Sequence, residues 1–591
     1  MCGIGGILFS DQGLVHRLTL MQAAMGHRGP DDQGIFVSEE AGLAHTRLAL
    51  LDLEGGRQPR VDPSGRYALV FNGEIYNHQE LRAQLRDFDF RTGSDAETLL
   101  AAWMRWGQGC LPRLQGMFAF VIWDGRLRRA FAARDALGVK PLVYAVSGQE
   151  VVFASEARAI LAQGHAARVD EEALVEVVVA PAFSGVRRSM FEGIRHLPAG
   201  CLMNVDQRGV RVERWWEPRF CGAPEVDDDE LAARLRGALE RGVERAMRAD
   251  VPVGIFLSGG LDSTALAAIA ARHCAGQALA AFTIRFEDHD QIGYRGDAIV
   301  VSDDAPFAEA AAEALGLELI RVVATQRELS EAVARVAAQN DRVPAWEQEL
   351  SQDALARAAR GRRKAVLVGD AADETHFGYF FLLDDAVNRS PLALIERFGA
   401  RQRAAFLSER LRRDHDPLRA LPLTYQRLVE AEGYSFDGPP EARVQAVSCL
   451  VRQLWLGRLL HNGDAHTMAH GVEARVPFAD LEVLACAQAT APSQGWRGGV
   501  EKHTLRQAVA PLLPAAIATR RKSALPRDPR LGRLYQEALR EVAAAEGDFV
   551  RQYLDAAQIE GLSSKPDLSD NERATAFTLL ALLHWKRHHL G

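Results

Sequence analysis

Three short stretches carry residue types that do chemistry. The first is Met1-Cys2-Gly3-Ile4. Removal of Met1, which the small Gly3 favours, would put a thiol and a free α-amine on Cys2. An N-terminal amine titrates near ~8 and can act as the base for its own side-chain nucleophile. The second is Leu257-Ser258-Gly259-Gly260-Leu261-Asp262-Ser263, which follows the apolar run 253–256. A strand feeding a glycine loop at a helix N-terminus gathers unpaired N–H groups and the positive end of the helix dipole, a ready anion site. The glycines let the backbone approach a phosphate, and Ser258 and Ser263 add hydroxyl donors. No Gly-Lys-Ser/Thr ending follows, so this is not the usual loop for γ-phosphate chemistry. Asp262 would repel phosphates unless a cation lay between them, and so it reads as a magnesium ligand. The plainer alternative is a tight strand-to-helix turn capped by Asp262 and Ser263. The third stretch is Gly369-Asp370-Ala371-Ala372-Asp373-Glu374, again after an apolar run, 364–368.

Regular elements must position these groups. Residues 42–50, 67–71, 117–123, 129–133 and 151–155 read as strands with polar turns between them. Asn72-Gly73 after the strand 67–71 reads as a turn, or as an oxyanion-stabilising pair made of the Asn72 amide and the Gly73 N–H. Gly93-Ser94-Asp95 opens a helix with Ser94 as its cap. An acidic, looser stretch over 221–230 reads as a linker and the start of a charged helix. Beyond it, strands at 253–256, 280–286, 317–323 and 364–368 alternate with helices such as 305–315. That alternation implies a parallel sheet, whose ligands sit beyond the carboxyl ends of its strands. The Ser258 and Asp370 loops both occupy such ends, which favours the site over the turn.

A chain of 591 residues exceeds one core, so two or more domains are expected. A net charge of -8 argues against a broad nucleic-acid surface. Seven cysteines without Cys-x-x-Cys spacing suggest neither a zinc site nor a disulfide framework. No apolar run approaches the ~20 residues that span a bilayer, and no signal-peptide pattern is visible. The expectation is a cytoplasmic enzyme of small-molecule substrates, with no nucleic-acid or membrane partner; a homodimer is left open.

The order of motifs adds a resemblance. Met1-Cys2-Gly3-Ile4, His27-Arg28-Gly29-Pro30-Asp31, Arg47-Leu48, Asn72-Gly73-Glu74-Ile75-Tyr76-Asn77, Ser94-Asp95, Arg134-Asp135, Gly138-Val139-Lys140-Pro141 and Ala154-Ser155-Glu156 resemble the class II glutamine amidotransferase domain. The Ser258 and Asp370 loops, residues 468–478, Asp480, Glu501-Lys502-His503-Thr504-Leu505-Arg506 and Arg520-Arg521-Lys522 resemble the synthetase domain of the asparagine synthetase family, a member of the ATP pyrophosphatases. The resemblance implies an N-terminal αββα Ntn-type antiparallel β-sandwich over 2–210. Over 225–591 it implies a parallel-sheet α/β ATP-pyrophosphatase domain with added helices. It further implies that Cys2 attacks glutamine, Asn72 and Gly73 form the oxyanion hole, and Arg47, Leu48, Glu74 and Asp95 bind the substrate. Leu257, Ser258, Gly259, Gly260, Asp262, Ser263, Ile284 and Gly369 would bind ATP. Asp262 and Asp373 would hold Mg2+, Lys522 would stabilise the reacting phosphate and acyl centre, and Asp370 would be an acid near the nucleophile. The implied activity is an ATP-dependent carbon–nitrogen ligation that amidates a carboxylic acid with nitrogen from glutamine, with aspartate the default acceptor.

The acceptor-side segments depart from the family pattern. Val368 stands for a serine, Ala371 for a glycine, and Thr375-His376 and Ser523-Ala524-Leu525-Pro526 are atypical. Asp341 to Gln348 sits where the family lines its acceptor pocket, and the segment from Glu287 to Asp304 is long. A non-aspartate carboxylate of specialised metabolism is therefore weighed beside aspartate. An intramolecular amide former of the β-lactam synthetase type needs no ammonia, and the intact Cys2, Arg47, Asn72 and Asp95 argue against it. Intact Asp262, Asp373 and Lys522 argue against a catalytically inactive glutamine or nucleotide sensor.

Overall fold

The structure is a computed structural model that describes residues 2–10, 12–220, 222, 226–274, 276–288 and 303–591. Met1, Cys221, residues 223–225 of the stretch read as a linker and most of the long segment after Glu287 lie outside the described residues.

Two six-stranded antiparallel sheets make the first half. In one, Cys2–Leu8 lies between Ala41–Arg47 and Glu150–Ala154. Cys2–Leu8 is buried along its whole length and runs in small residues for a steric reason. A Cβ on Gly6 would stand 2.4 Å from the Phe153 ring. The register pairs Cys2 with Arg47, which brings the nucleophile candidate to the carboxylate-binding candidate. In the other sheet, Tyr67–Ile75 pairs with Gly116–Asp124, which pairs with Arg129–Arg134. Ile4, Leu43, Val70, Val121 and Phe153 fill the space between the sheets. Leu14–Ala24 covers the outer face of the first sheet and Asp95–Trp106 that of the second, an αββα stack.

Asn72-Gly73 does not turn the chain. The strand runs through both residues to Ile75, pairing Asn72 with Ala119 and Gly73 with Phe118. Gly73 has φ +152, and a Cβ there would lie 2.1 Å from the Met117 carbonyl oxygen. The glycine serves a close strand crossing, and pairing over the whole strand overrides the local turn preference.

The second half holds a five-stranded sheet, ordered Glu318–Ala324, Ala280–Phe286, Val253–Phe256, Ala365–Leu367, Glu473–Arg475. All four pairings are parallel. The inner strands are apolar, as a sheet covered on both faces requires. From Val253–Phe256 the chain winds first to one side and later returns to the other, so the winding reverses between Val253–Phe256 and Ala365–Leu367. That switch point is where open α/β sheets leave a crevice. Helices of the last two hundred residues pack around the sheet, ending with Asp570–His589.

The halves meet across a buried, charged seam. Arg28, in the first half, donates to Glu156 at 2.7 Å and to Asp464 of the second half at 2.7 Å. Arg475, at the end of the edge strand of the parallel sheet, lies 2.6 Å from Glu473 and 3.4 Å from Glu74. Asp341 faces this seam: it accepts from the Ala157 N–H and lies 3.4 Å from Arg158. Breaking a buried ion pair by removing one partner leaves uncompensated charge. Arg28→Met is accordingly expected to cost about 3 kcal/mol, read as an earlier midpoint in chemical denaturation than the wild type shows.

Candidate active site

At the first site, the backbone N–H of Cys2 donates to Asn72 Oδ1 at 3.2 Å, and Arg28 Nε donates to the Cys2 carbonyl at 3.2 Å. The thiol is buried, and burial pushes its pKa up; the Leu48 N–H and the Arg47 charge oppose that rise. A thiol held protonated needs a base, which fits an amine on the same residue. Asn72 Nδ2 is buried without a hydrogen-bond partner, an unspent donor close to Cys2. Arg47 is held by the carbonyls of Leu51, Asp52 and Leu53, at 3.2, 2.6 and 2.9 Å. Carbonyls orient the guanidinium without neutralising it. Asp95 opens its helix, and its Oδ2 accepts from the Ile75 N–H at 2.9 Å, which ties it to the strand end next to Glu74. Ser94 caps that helix by accepting from the Ala96 N–H. Burial raises the Asp95 pKa. Glu74 is pushed up to about 8, by burial against the pull of Arg475. Glu74 therefore faces the seam as well as the site.

The second site is a cavity of about 610 Å³ at the switch point. Leu257, Ser258, Asp262, Ser263, Ile284, Gly369, Asp370, Asp373 and Lys522 all line it. Val253–Phe256 feeds the loop, and Leu261–Ala270 leaves it. Ser258 Oγ and Ser263 Oγ lie 3.1 Å apart, and the Gly260 N–H donates to Ser258 Oγ at 3.3 Å. Gly259 and Gly260 are not among the cavity walls. Gly259 has φ +66, and a Cβ there would stand 2.3 Å from the backbone between Phe307 and Ala308. That glycine seats the loop against the helix Ala305–Leu315.

Two lysines clamp two carboxylates. Lys502 Nζ lies 2.5 Å from Asp262 and 2.6 Å from Asp373, and Lys522 Nζ lies 2.6 Å from Asp373. Lys522 sits in extended chain beyond the short helix Ala515–Ala518 and is drawn to a carboxylate, not to a helix end. The lysines bring Asp373 down to about 2 despite burial, whereas burial keeps Asp262 raised. Burial also raises Asp370 to about 6, against the opposing Lys522 charge. Asp262 Oδ1 is buried without a hydrogen-bond partner. Among the described residues no group of three or more His, Cys, Asp or Glu could hold a metal. Two carboxylates completed by substrate phosphates and water are, however, a donor set that magnesium takes.

Residues 1–216 match the glutamine amidotransferase domain family, and residues 234–587 match the asparagine synthase family. A Bacillus subtilis protein named glutamine-hydrolyzing asparagine synthetase 3 is 30% identical over 580 residues, 95% of this chain and 93% of that one. Its paralogue named asparagine synthetase 1 is 28% identical over 89% of this chain and 87% of its own. The chain belongs to the asparagine synthase family. As an asparagine synthase family protein it is an ATP-dependent ligase joined to a glutamine amidotransferase domain. No helix among the described residues is long and apolar enough to cross a membrane.

Several groups of this family member are not visible as site residues in the sequence. Lys502 stood in a recognised motif without a role; its φ of +55 is the local sign of a constrained position. Arg520 lies 2.5 Å from Asp304, a cavity-lining carboxyl that burial raises to about 6. Tyr379 donates its hydroxyl to Glu374. The segment from Asp341 to Gln348 divides. Ala345, Trp346 and Gln348 line the cavity, while Asp341 faces the seam. The tail beyond residue 525 also reaches the cavity, through Ser569, Asp570, Asn571 and Ala574.

A carboxyl whose folded-state pKa is raised lets the folded protein lose stability as pH climbs from the unfolded value to the folded one. For Asp370 that window runs from 3.8 to about 6. Asp370→Asn removes the titration. Its melting temperature is expected to exceed that of the wild type by a margin that grows through this window and is level above it.

Proposed function

We propose that this enzyme releases ammonia from glutamine at Cys2 and uses it to amidate a carboxylic acid activated by ATP, with Asp262 and Asp373 holding Mg2+. The Asp262–Lys502–Asp373–Lys522 chain at the switch point carries this reading. The Cys2 thiol attacks the glutamine side-chain amide, its proton passing to the α-amine exposed when Met1 is removed. Asn72 Nδ2 and the Gly73 N–H steady the oxyanion, a contribution each worth up to about a thousandfold in rate. Arg47 and Leu48 position the substrate carboxylate, and Asp95 with Glu74 its ammonium. Ammonia leaves as the thioester on Cys2 forms, and water then cleaves that thioester to give glutamate and the free thiol.

At the second site the acid attacks the α-phosphate of ATP, and pyrophosphate leaves. Ser258 and Ser263 hold the pyrophosphate on a loop that Gly259 and Gly260 shape, with Leu257, Ile284 and Gly369 along the nucleotide. Magnesium would neutralise phosphate charge between Asp262 and Asp373. Lys522, charged and free to turn from Asp373, follows the phosphate and acyl oxygens. Ammonia then displaces AMP, and Asp370, ionised above about pH 6, takes a proton from the attacking nitrogen. A buried route between the sites would keep ammonia from becoming ammonium on its way. Aspartate is the acceptor that the names of the relatives suggest. The unspent Asn72 donor beside Cys2 disfavours an ammonia-independent amide former.

Product analysis by mass spectrometry with a pyrophosphate-release assay tests the reading. Cys2→Ala should abolish glutamate formation yet leave amidation from ammonium salts intact. Lys522→Met should lower pyrophosphate release by about a hundredfold or more while glutamine hydrolysis continues. Pyrophosphate release that ignores every carboxylic acid offered, aspartate included, would sink the proposal.

A further inference from the structure

The cavity that holds Asp370 and Lys522 is also walled by Trp346, Tyr379, Phe398 and Trp455, with Arg397 and Arg403 among its lining residues. Ring contacts link the aromatic side chains. Trp455 lies 5.4 Å from Tyr379, 5.4 Å from Trp346 and 5.3 Å from Phe398, centroid to centroid. Tyr379 bonds Glu374, next to Asp373 in the reacting loop. At the other end the Phe398 carbonyl accepts from Arg403 Nε at 3.1 Å. An aromatic floor thus leads from the reacting centre to Arg403.

Arg403 is 4% exposed. Among the described residues its other hydrogen bond is a long one, from Nη1 to Thr578 Oγ1 at 3.4 Å. Among the described residues neither Arg403 nor Arg397 has a carboxylate within ion-pair distance. Other buried arginines around the cavity do have partners: Arg520 has Asp304, and Arg527 and Arg573 share Glu347. Burial lowers the Arg403 pKa to about 10, which leaves it charged at neutral pH. A guanidinium taken from water without a counter-ion is expensive, and a ligand anion would offset that cost. The cavity carboxylates Glu349, Glu374 and Asp570 are already engaged, by His466, Tyr379 and Arg573.

We propose that the acceptor is an elongated dicarboxylic acid: one carboxylate reacts beside Lys522, a flat apolar body lies on Trp346 and Trp455, and the second carboxylate is bound by Arg403. The planar guanidinium fork suits a carboxylate, and Arg397 adds positive charge nearby. This rests on the amidation reading and narrows its acceptor. The carboxylates of aspartate are two carbons apart. The chain Tyr379–Trp455–Phe398, with centroid steps of 5.4 and 5.3 Å, separates the reacting loop from Arg403. Aspartate also brings an ammonium, for which Asp370 is the one cavity-wall carboxylate of the second half not yet paired or placed on magnesium.

Calorimetric titration of the full chain with 4-carboxyphenylacetate, phenylacetate and aspartate tests the subsite. The diacid is expected to bind at least about tenfold more tightly than the monoacid, the worth of a charged hydrogen bond. Arg403→Met should erase that ratio and Arg403→Lys should keep part of it, with ATP titrations certifying that both variants fold. Equal affinity for diacid and monoacid, no binding of either, or aspartate turnover that is insensitive to Arg403→Met would overturn the subsite. Pyrophosphate release measured alongside separates the two failures. Turnover of any acid with no diacid preference discards the subsite alone, while no turnover of any acid discards the amidation reading.

Discussion

Arg475 is the contact on which both halves depend. Its guanidinium is fully buried where the edge strand of the parallel sheet meets the antiparallel sandwich. It is bound by Glu473, by the carbonyls of Ala246 and Arg248 at 2.7 and 2.8 Å, and by Glu74 at 3.4 Å. Desolvating such a charge costs several kcal/mol unless its donors are used together. The arrangement tolerates little displacement, and it fixes the Asn72-Gly73-Glu74 strand relative to the switch point of the other sheet. Arg28, bridging Glu156 and Asp464, repeats the device a short way along the seam.

Each site then follows from strand ends. In the sandwich, antiparallel register sets Cys2 opposite Arg47 and brings Asn72 under the Cys2 nitrogen. In the parallel sheet, reversal of winding opens a crevice into which the Ser258 and Asp370 loops both project. Carboxylates gathered there would repel one another. Lys502 and Lys522 hold them together.

Much of this was legible in the sequence where chemistry is local. The Ser258 loop, the strand before it and the helix after it lie within twenty residues, and their pattern carries the geometry. Ser94 as a cap is equally local: it accepts from Ala96. Legibility fails where a residue's meaning depends on distant partners. Asn72-Gly73 looks like a turn until Gly116–Asp124 extends the strand through it. Lys502 is one of only six lysines in the chain, but its role is hidden until Asp262, 240 positions earlier, is seen against it. Asp341 sits in a segment read as acceptor-lining, yet its carboxylate is claimed by Arg158 across the seam.

The final helix, Asp570–His589, has twenty residues and spans about 30 Å. Near its end Trp585 Nε1 donates to the Asp341 carbonyl at 3.2 Å, while its first turn walls the acceptor end of the cavity. One rigid rod therefore touches the interface with one tip and the acceptor chamber with the other. A substitution in the first turn would alter the cavity wall without touching the Trp585 contact at the other tip.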